Sequence, residues 1–242
     1  MGPRSMTPFY LLTLAALAFG GFAYATVGFG IALVASPFLV AEFGSADGVR
    51  VSLILATGLG LIAVPQGRRH LRLHEGSLML APALLLSPLI AVLVRDMDGP
   101  LLVAIAGTLT LLGVWALHTR LLSARLSGDA GAVTAGAVSA GMNVVAGLGG
   151  PPLALYTAGT RWPIAEARST MQTVFVIQNV IALFSLGLTP VPVPFMVALV
   201  IGWVGGMLAA KRVAVSTLRT LALSVAGIGG ILAVVRGLAE MS

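Results

Sequence analysis

The feature that most constrains this chain is a succession of apolar stretches, each close to 20 residues, separated by short gaps that hold the charge. About 20 apolar residues in a helix match a bilayer hydrocarbon core of roughly 30 Å. Such runs lie near 7–26, 47–66, 76–94, 100–119, 130–146, 169–187, 193–210 and 217–236. With 58% of its 242 residues hydrophobic and 9% charged, the chain carries more apolar surface than a water-soluble domain of this size can hide. This predicts an all-α integral membrane protein with about eight transmembrane helices. Two further apolar pieces, about 30–41 and 151–159, are too short to cross alone and follow glycine-rich breaks. They read as the half-helices of two glycine/proline-broken re-entrant hairpins.

The net charge of +6 would point to nucleic acid in a soluble protein, but here the basic residues sit in gaps between spans, where topology accounts for them. With no Cys there is no disulfide framework, thiolate metal site or cysteine redox chemistry, and His70, His74 and His118 lie at loop edges. No metal and no cofactor is called for. Arg4, the apolar run from Phe9 to Phe19 and Ala23-Tyr24-Ala25 imitate a cleavable secretory signal. Cleavage after Ala25 would cut just before a glycine motif that has a counterpart later in the chain, so the segment reads as a permanent first span.

Topology can be tested with the fourteen Lys and Arg. Eight straight spans place seven on each side, which is no bias. If the segment from Ala130 to Gly159 instead enters, turns and returns, everything after it changes sides. With a second return at Gly28 to Gly30, the gaps 67–75, 119–129, 160–168 and 211–219 share one face with ten basic residues, against Arg4, Arg50, Arg95 and Arg236 opposite. That asymmetry is expected of a cytoplasmic face. Straightening the first hairpin only moves Arg4 and gives eleven against three, so charge supports the second hairpin and is silent on the first. The first rests on internal similarity. Gly28-Phe29-Gly30 and Gly147-Leu148-Gly149 each close an apolar helix and precede a Pro-containing piece, a loop ending in Arg50 or Arg168, and a span with early hydroxyls (Ser52; Ser169, Thr170). Two halves, 1–125 and 126–242, read as inverted repeats, each a broken segment plus three spans within one membrane domain.

Bare backbone is unfavourable in hydrocarbon, so a glycine/proline break at mid-membrane depth survives where protein or a watery cavity satisfies it. Helix N-termini meeting there favour an anion, and glycine lets a ligand reach the backbone. Most of the 30 Gly serve close helix packing. The cluster Gly147-Leu148-Gly149-Gly150-Pro151-Pro152 is different, because consecutive Gly and Pro forfeit backbone bonds that packing does not require.

Polar side chains near the breaks are Tyr24, Thr26, Ser36, Asn143, Tyr156, Gln172, Gln178 and Asn179. Hydroxyls can bond back to their own helix, whereas the amides Asn143, Gln178 and Asn179 either bridge helices or line a pathway. Candidate substrate-binding residues are therefore Gly28, Gly30, Asn143, Gly147, Gly149, Gly150, Pro151, Gln178 and Asn179. Arg50 and Arg168 are candidate vestibule residues, or ordinary interfacial cations neutralised by Asp47 and Glu166. All eight acidic residues fall in gaps or at ends, so no intramembrane proton relay, paired acid and base or activated nucleophile is visible, and an intramembrane enzyme is the weaker class.

The run from Gly147 to Tyr156, followed by Arg161-Trp162-Pro163 and Arg168-Ser169-Thr170, with Gly28-Phe29-Gly30 and Pro37 in the first half, resembles the sulfite exporter TauE/SafE family of bacterial membrane permeases. The first half carries Ile31 and Ala32 where that pattern is richer in glycine. The resemblance implies a permease that moves small sulfur-containing or organic anions, sulfite or sulfoacetate-like, across the bacterial cytoplasmic membrane. Its partners would be a small anion and the lipid bilayer, with no nucleic acid and with a homodimer as a candidate assembly. The rival reading is a non-transporting scaffold or an intramembrane lipid-modifying enzyme.

Overall fold

The computed structural model describes residues 8–27, 30–119, 126–209 and 215–241, with the side chains of all but Val27 and 215–219. These residues form ten α-helices and no strand. The helices are α1 (Pro8–Val27), α2 (Ile31–Phe43), α3 (Ser45–Gly67), α4 (Leu73–Arg95), α5 (Gly99–Thr119), α6 (Gly128–Ala146), α7 (Gly150–Gly159), α8 (Ile164–Leu186), α9 (Val193–Ala209) and α10 (Val215–Met241). Each run read from the sequence has its helix. Six of them, α1, α3, α4, α5, α8 and α10, are long and apolar enough to cross a membrane alone. Helix α9 is apolar but has only 17 residues, and α6 is diluted by glycine and alanine. Leu85, Phe184 and Leu208 are each at least 77% exposed, a surface that belongs in lipid rather than water.

Both broken segments fold back to the face they start from. In the second, the Tyr156 hydroxyl on α7 donates to the carbonyl of Gly128, the first residue of α6, at 3.3 Å, so the end of α7 lies beside the beginning of α6. In the first, Tyr10 near the start of α1 and Phe43 at the end of α2 both pack on Phe195, with ring centroids 5.2 and 5.4 Å away. Ala16 and Phe38 share one apolar cluster. Helices α1 and α2 are therefore antiparallel, a point the charge count had left open.

Polar contacts tie the gaps of the basic face together. Arg72 bonds to Glu75 at 3.0 Å and, closely, to Glu166, and its backbone N–H donates to Thr170 Oγ1 at 3.0 Å. His74 meets Asp129 at 3.1 Å. The gaps at 67–75, 126–129 and 160–168 thus share one face, as the hairpin topology requires. The gaps near 120–125 and 211–214 lie outside the described residues. At the opposite face, Arg236 of α10 donates to the carbonyl of Ala41 near the end of α2 and to Glu240.

Small residues set the helix spacing. A Cβ on Gly202 of α9 would run into the Ala18 backbone of α1, and one on Gly136 of α6 would sit 2.1 Å from the Met79 carbonyl of α4. Helix α1 runs parallel to α9, with Tyr10 level with Phe195 and Phe22 level with Gly206. Helix α4 runs parallel to α6, with His74 beside Asp129 and Met79 beside Gly136. Helices α3 and α8 run antiparallel through the centre, where Gly67 meets Ser169 and Gly60 meets Val176.

Candidate functional site

Helix α6 ends because Gly147 adopts the left-handed conformation (φ 63) and its N–H bonds back to the Asn143 carbonyl at 2.8 Å. A side chain is doubly unwelcome there, since a Cβ would lie 3.1 Å from Ser36 Oγ and 3.3 Å from Ser52 Oγ. The chain then reverses, bringing Gly149 level with Ser139 and Asn143. Ser139 Oγ donates to the Gly149 carbonyl at 2.7 Å, and a Cβ on Gly149 would meet Ser139 Oγ at 3.0 Å and Asn143 Oδ1 at 3.2 Å. Ser36 on α2 donates to the Ala146 carbonyl. The first hairpin thereby satisfies one of the carbonyls freed where α6 stops.

Amide side chains support this tip. Asn143 Nδ2 donates to Asn179 Oδ1 at 2.9 Å, with both residues 3% exposed. Gln178 Oε1 lies 2.9 Å from Ser139 Oγ, and Gln178 Nε2 lies 3.5 Å from the Met79 carbonyl. A hydroxyl has one proton, so Ser139 serves Gly149 or Gln178 but not both at once.

The tips of the two hairpins meet around a cavity of about 30 Å³, room for one or two waters. From the first half come Tyr24, Gly30, Ile31, Ala32 and Leu33, with Leu53 and Ala56 of α3. The second half supplies Asn143, Gly147, Gly149 and Gly150, with Phe175 and Asn179 of α8. The N-termini of α2 and α7 both open here, and the N–H groups of a helix's first turn have no partner within the helix. These N–H groups and the N-terminal dipoles of α2 and α7 favour an anion beside them. No carboxylate lines it, and all eight acids lie at helix ends or in gaps. Phe175 and Asn179 lie eleven and seven residues from the end of α8, placing the cavity about 10–16 Å inside the opposite face and about 16–22 Å from the start of α8 at the basic face, near the middle of the span. Towards the opposite face lies a separate pocket of about 360 Å³ among α3, α4, α5, α6 and α8, lined by residues that include Val49, Arg95, Val144 and Ser185.

A family model, sulfite exporter TauE/SafE, matches residues 12–235, nearly the whole chain. The chain belongs to the sulfite exporter TauE/SafE family. This is a family of membrane transporters and not of enzymes, and the chain is a membrane transporter. No curated protein and no solved structure matches it.

Of the residues singled out from the sequence of this TauE/SafE protein, Gly30, Asn143, Gly147, Gly149, Gly150 and Asn179 converge on the cavity; Gly28 lies outside the described residues. Two others stand elsewhere. Pro151 turns away from the cavity to pack on Gly113 of α5, in an apolar groove, because the helical turn that aims Gly150 inward carries the next residue around the axis. Gln178 stands one layer behind, fully buried against Ser139 and α4. Arg50 does pair with Asp47, at 3.0 Å, and stands outside the cavity lining. The expected pairing of Arg168 with Glu166 is wrong, since Glu166 is taken by Arg72 and no described carboxylate pairs with Arg168.

Leu53 and Phe175, and Tyr24, which was named among the polar residues near the breaks but not among the substrate-binding candidates, also line the cavity. For Tyr24 the signal was its place one turn before the first break. For Phe175 it was the spacing of four residues from Asn179, which puts both on one helix face. On the basic face, Arg72 also stacks on Trp162, 4.7 Å from its centroid, and Trp162 on Tyr156 at 5.5 Å. Bonding to Glu166 and then to Glu75 holds this guanidinium above its ordinary pKa, so the clamp on the end of α7 stays charged.

Proposed function

We propose that this transporter passes small sulfur-containing or organic anions, of the sulfite or sulfoacetate kind, across the bacterial cytoplasmic membrane by alternating access. The observation that carries this reading is the convergence of two helix N-termini and an amide pair on a cavity without a carboxylate. A monovalent or divalent oxyanion would be held by first-turn N–H groups of α2 and α7 and by Asn143 Nδ2, each a donor that suits an acceptor-rich ligand.

A space for one or two waters is too small for an ion of four or more heavy atoms, so the tips must part to admit it. The separate pocket between the cavity and the opposite face supports reading the present conformation as the one facing that side. Two repeats, 1–125 and 126–242, give the motion a form. The parallel pairing of α1 with α9 and of α6 with α4 supports that division, because each pair joins the first helix of one half to the fourth of the other. Rocking one half against the other would expose the same cavity to the basic, cytoplasmic face.

Purified protein in proteoliposomes, given a panel of oxyanions that includes sulfite and sulfoacetate, tests the reading. Flux of at least one sulfur oxyanion, strongly reduced in Asn143→Ala, is expected. Absence of flux for every anion would overturn it, and unchanged flux in Asn143→Ala would remove the cavity from the path.

A further inference from the structure

Two observations on α8 are left unused by the cavity itself. Gln172 is 2% exposed and its Nε2 has no hydrogen-bond partner. A buried amide donor without an acceptor costs about 1–3 kcal/mol, so its retention calls for an occasional acceptor. Arg168, one turn nearer the basic face, is a half-buried guanidinium that no described carboxylate neutralises. At 100° per residue, positions 168, 172, 175 and 179 fall within a stripe about 60° wide on one face of α8. Phe175 and Asn179 of that stripe line the cavity. The Tyr24 hydroxyl lies beside Gly60 at the level of Val176 on α8, and Tyr24 also lines the cavity. An electropositive file thus runs down α8 from the basic face, first a charge, then an unpaired donor, then the amide at the tips.

We propose that Gln172 and Arg168, with the Tyr24 hydroxyl, form a second anion station between the basic face and the tip cavity, specific for small oxyanions. It rests on the anion-transport reading above and adds a site to it. A cation and a neutral N–H donor attract an oxyanion, whereas neither binds a metal ion or a cationic solute. In the antiparallel α3–α8 pair Gly60 meets Val176 and Gly67 meets Ser169, so the apolar Ala63, Val64 and Pro65 of α3 lie level with Gln172, which leaves the recognition chemistry there to α8. The station fills when the cytoplasmic side opens.

Because the chain has no Cys, Gln172→Cys introduces a single thiol. In vesicles it is labelled from the basic face with two impermeant thiol reagents of matched size, one bearing a sulfonate and one a quaternary ammonium, each rate divided by that with a free small thiol. The sulfonate reagent is expected to be favoured about tenfold, falling to parity when Arg168→Gln is added. No labelling from that face, or a ratio at or below parity with Arg168 in place, would overturn the station. A flux series separates packing from charge. Gln172→Met should slow sulfite flux about tenfold and Gln172→Glu clearly more, whereas equal flux in the two variants would overturn the proposal. Wild-type protein with no flux would refute the transport reading, while the labelling ratio would still report on the station.

Discussion

The first broken segment brings the cavity Tyr24, Gly30 and the opening turn of α2 with Ile31, Ala32 and Leu33, whereas the second adds to its glycines at 147, 149 and 150 the side-chain amide of Asn143, paired with Asn179 of α8. Their sequences explain the division. Helix α2 begins without proline, so its first-turn N–H groups are all present. Helix α7 begins Gly150-Pro151-Pro152, and two of its first residues have no N–H to give. The second tip is thus a poorer backbone donor, and amides on α6 and α8 supply what the prolines remove. In the proposed anion reading, the two halves divide the work of binding between main chain and side chain.

This contrast can be broken by substitution, and the largest effect belongs to Gly149. Its Cβ position already touches Ser139 and Asn143, so Gly149→Leu fills the cavity, and sulfite flux should fall more than about a hundredfold. Next comes Asn143→Ala, which removes a donor to the anion and leaves the buried Asn179 without its partner. Flux about ten- to a hundredfold lower is expected, with an unfolding cost of about 1–3 kcal/mol measured by thermal denaturation in detergent.

The clamps at the two hairpin ends should matter less. Arg72 joins Glu166, Glu75 and Trp162 on the basic face, whereas Arg236 holds Ala41 and Glu240. Both are partly solvated, so Arg72→Gln should lower Tm by about 2–4 °C and Arg236→Gln by less. A larger loss for Arg236 would place the main anchor on the first hairpin instead. The smallest effect belongs to Ile31→Val, which trims a buried side chain but leaves its N–H in place. Flux should stay within about twofold of wild type, and a larger drop would mean that the first tip binds through its side chains after all.

Much of this fold is written in local composition. All ten helices follow from apolar run length, and Gly147 with its left-handed φ ends α6 where a glycine cap would be sought. The second hairpin was legible because Arg and Lys carry sidedness. The first was not, since only Arg4 reports on it; it took Tyr10 and Phe43 meeting on Phe195 to decide the matter. Partner choice was the least legible. Glu166 lies two residues from Arg168 in sequence, yet it bonds Arg72, 94 residues away, because residues two apart on a helix do not share a face. Pro151 and Gln178 were assigned by proximity to the break, but the helical turn sends each away from the cavity. Gln172, one of the polar residues near the breaks, gains a role only from its buried and unpaired Nε2.

The central claim is that the two tips, entering from opposite faces, meet at one cavity that an anion must cross. Its most direct test pairs Ala32→Cys with Gly150→Cys, one residue from each tip and both lining the cavity, in the Cys-free chain. In membranes, a short bis-maleimide should link the two into a product that protease nicking between residues 119 and 127 fails to separate. Sulfite flux should stop in the linked protein while each single variant, treated with the same reagent, forms no link. Failure of the pair to link, or full flux in the linked protein, would contradict the account.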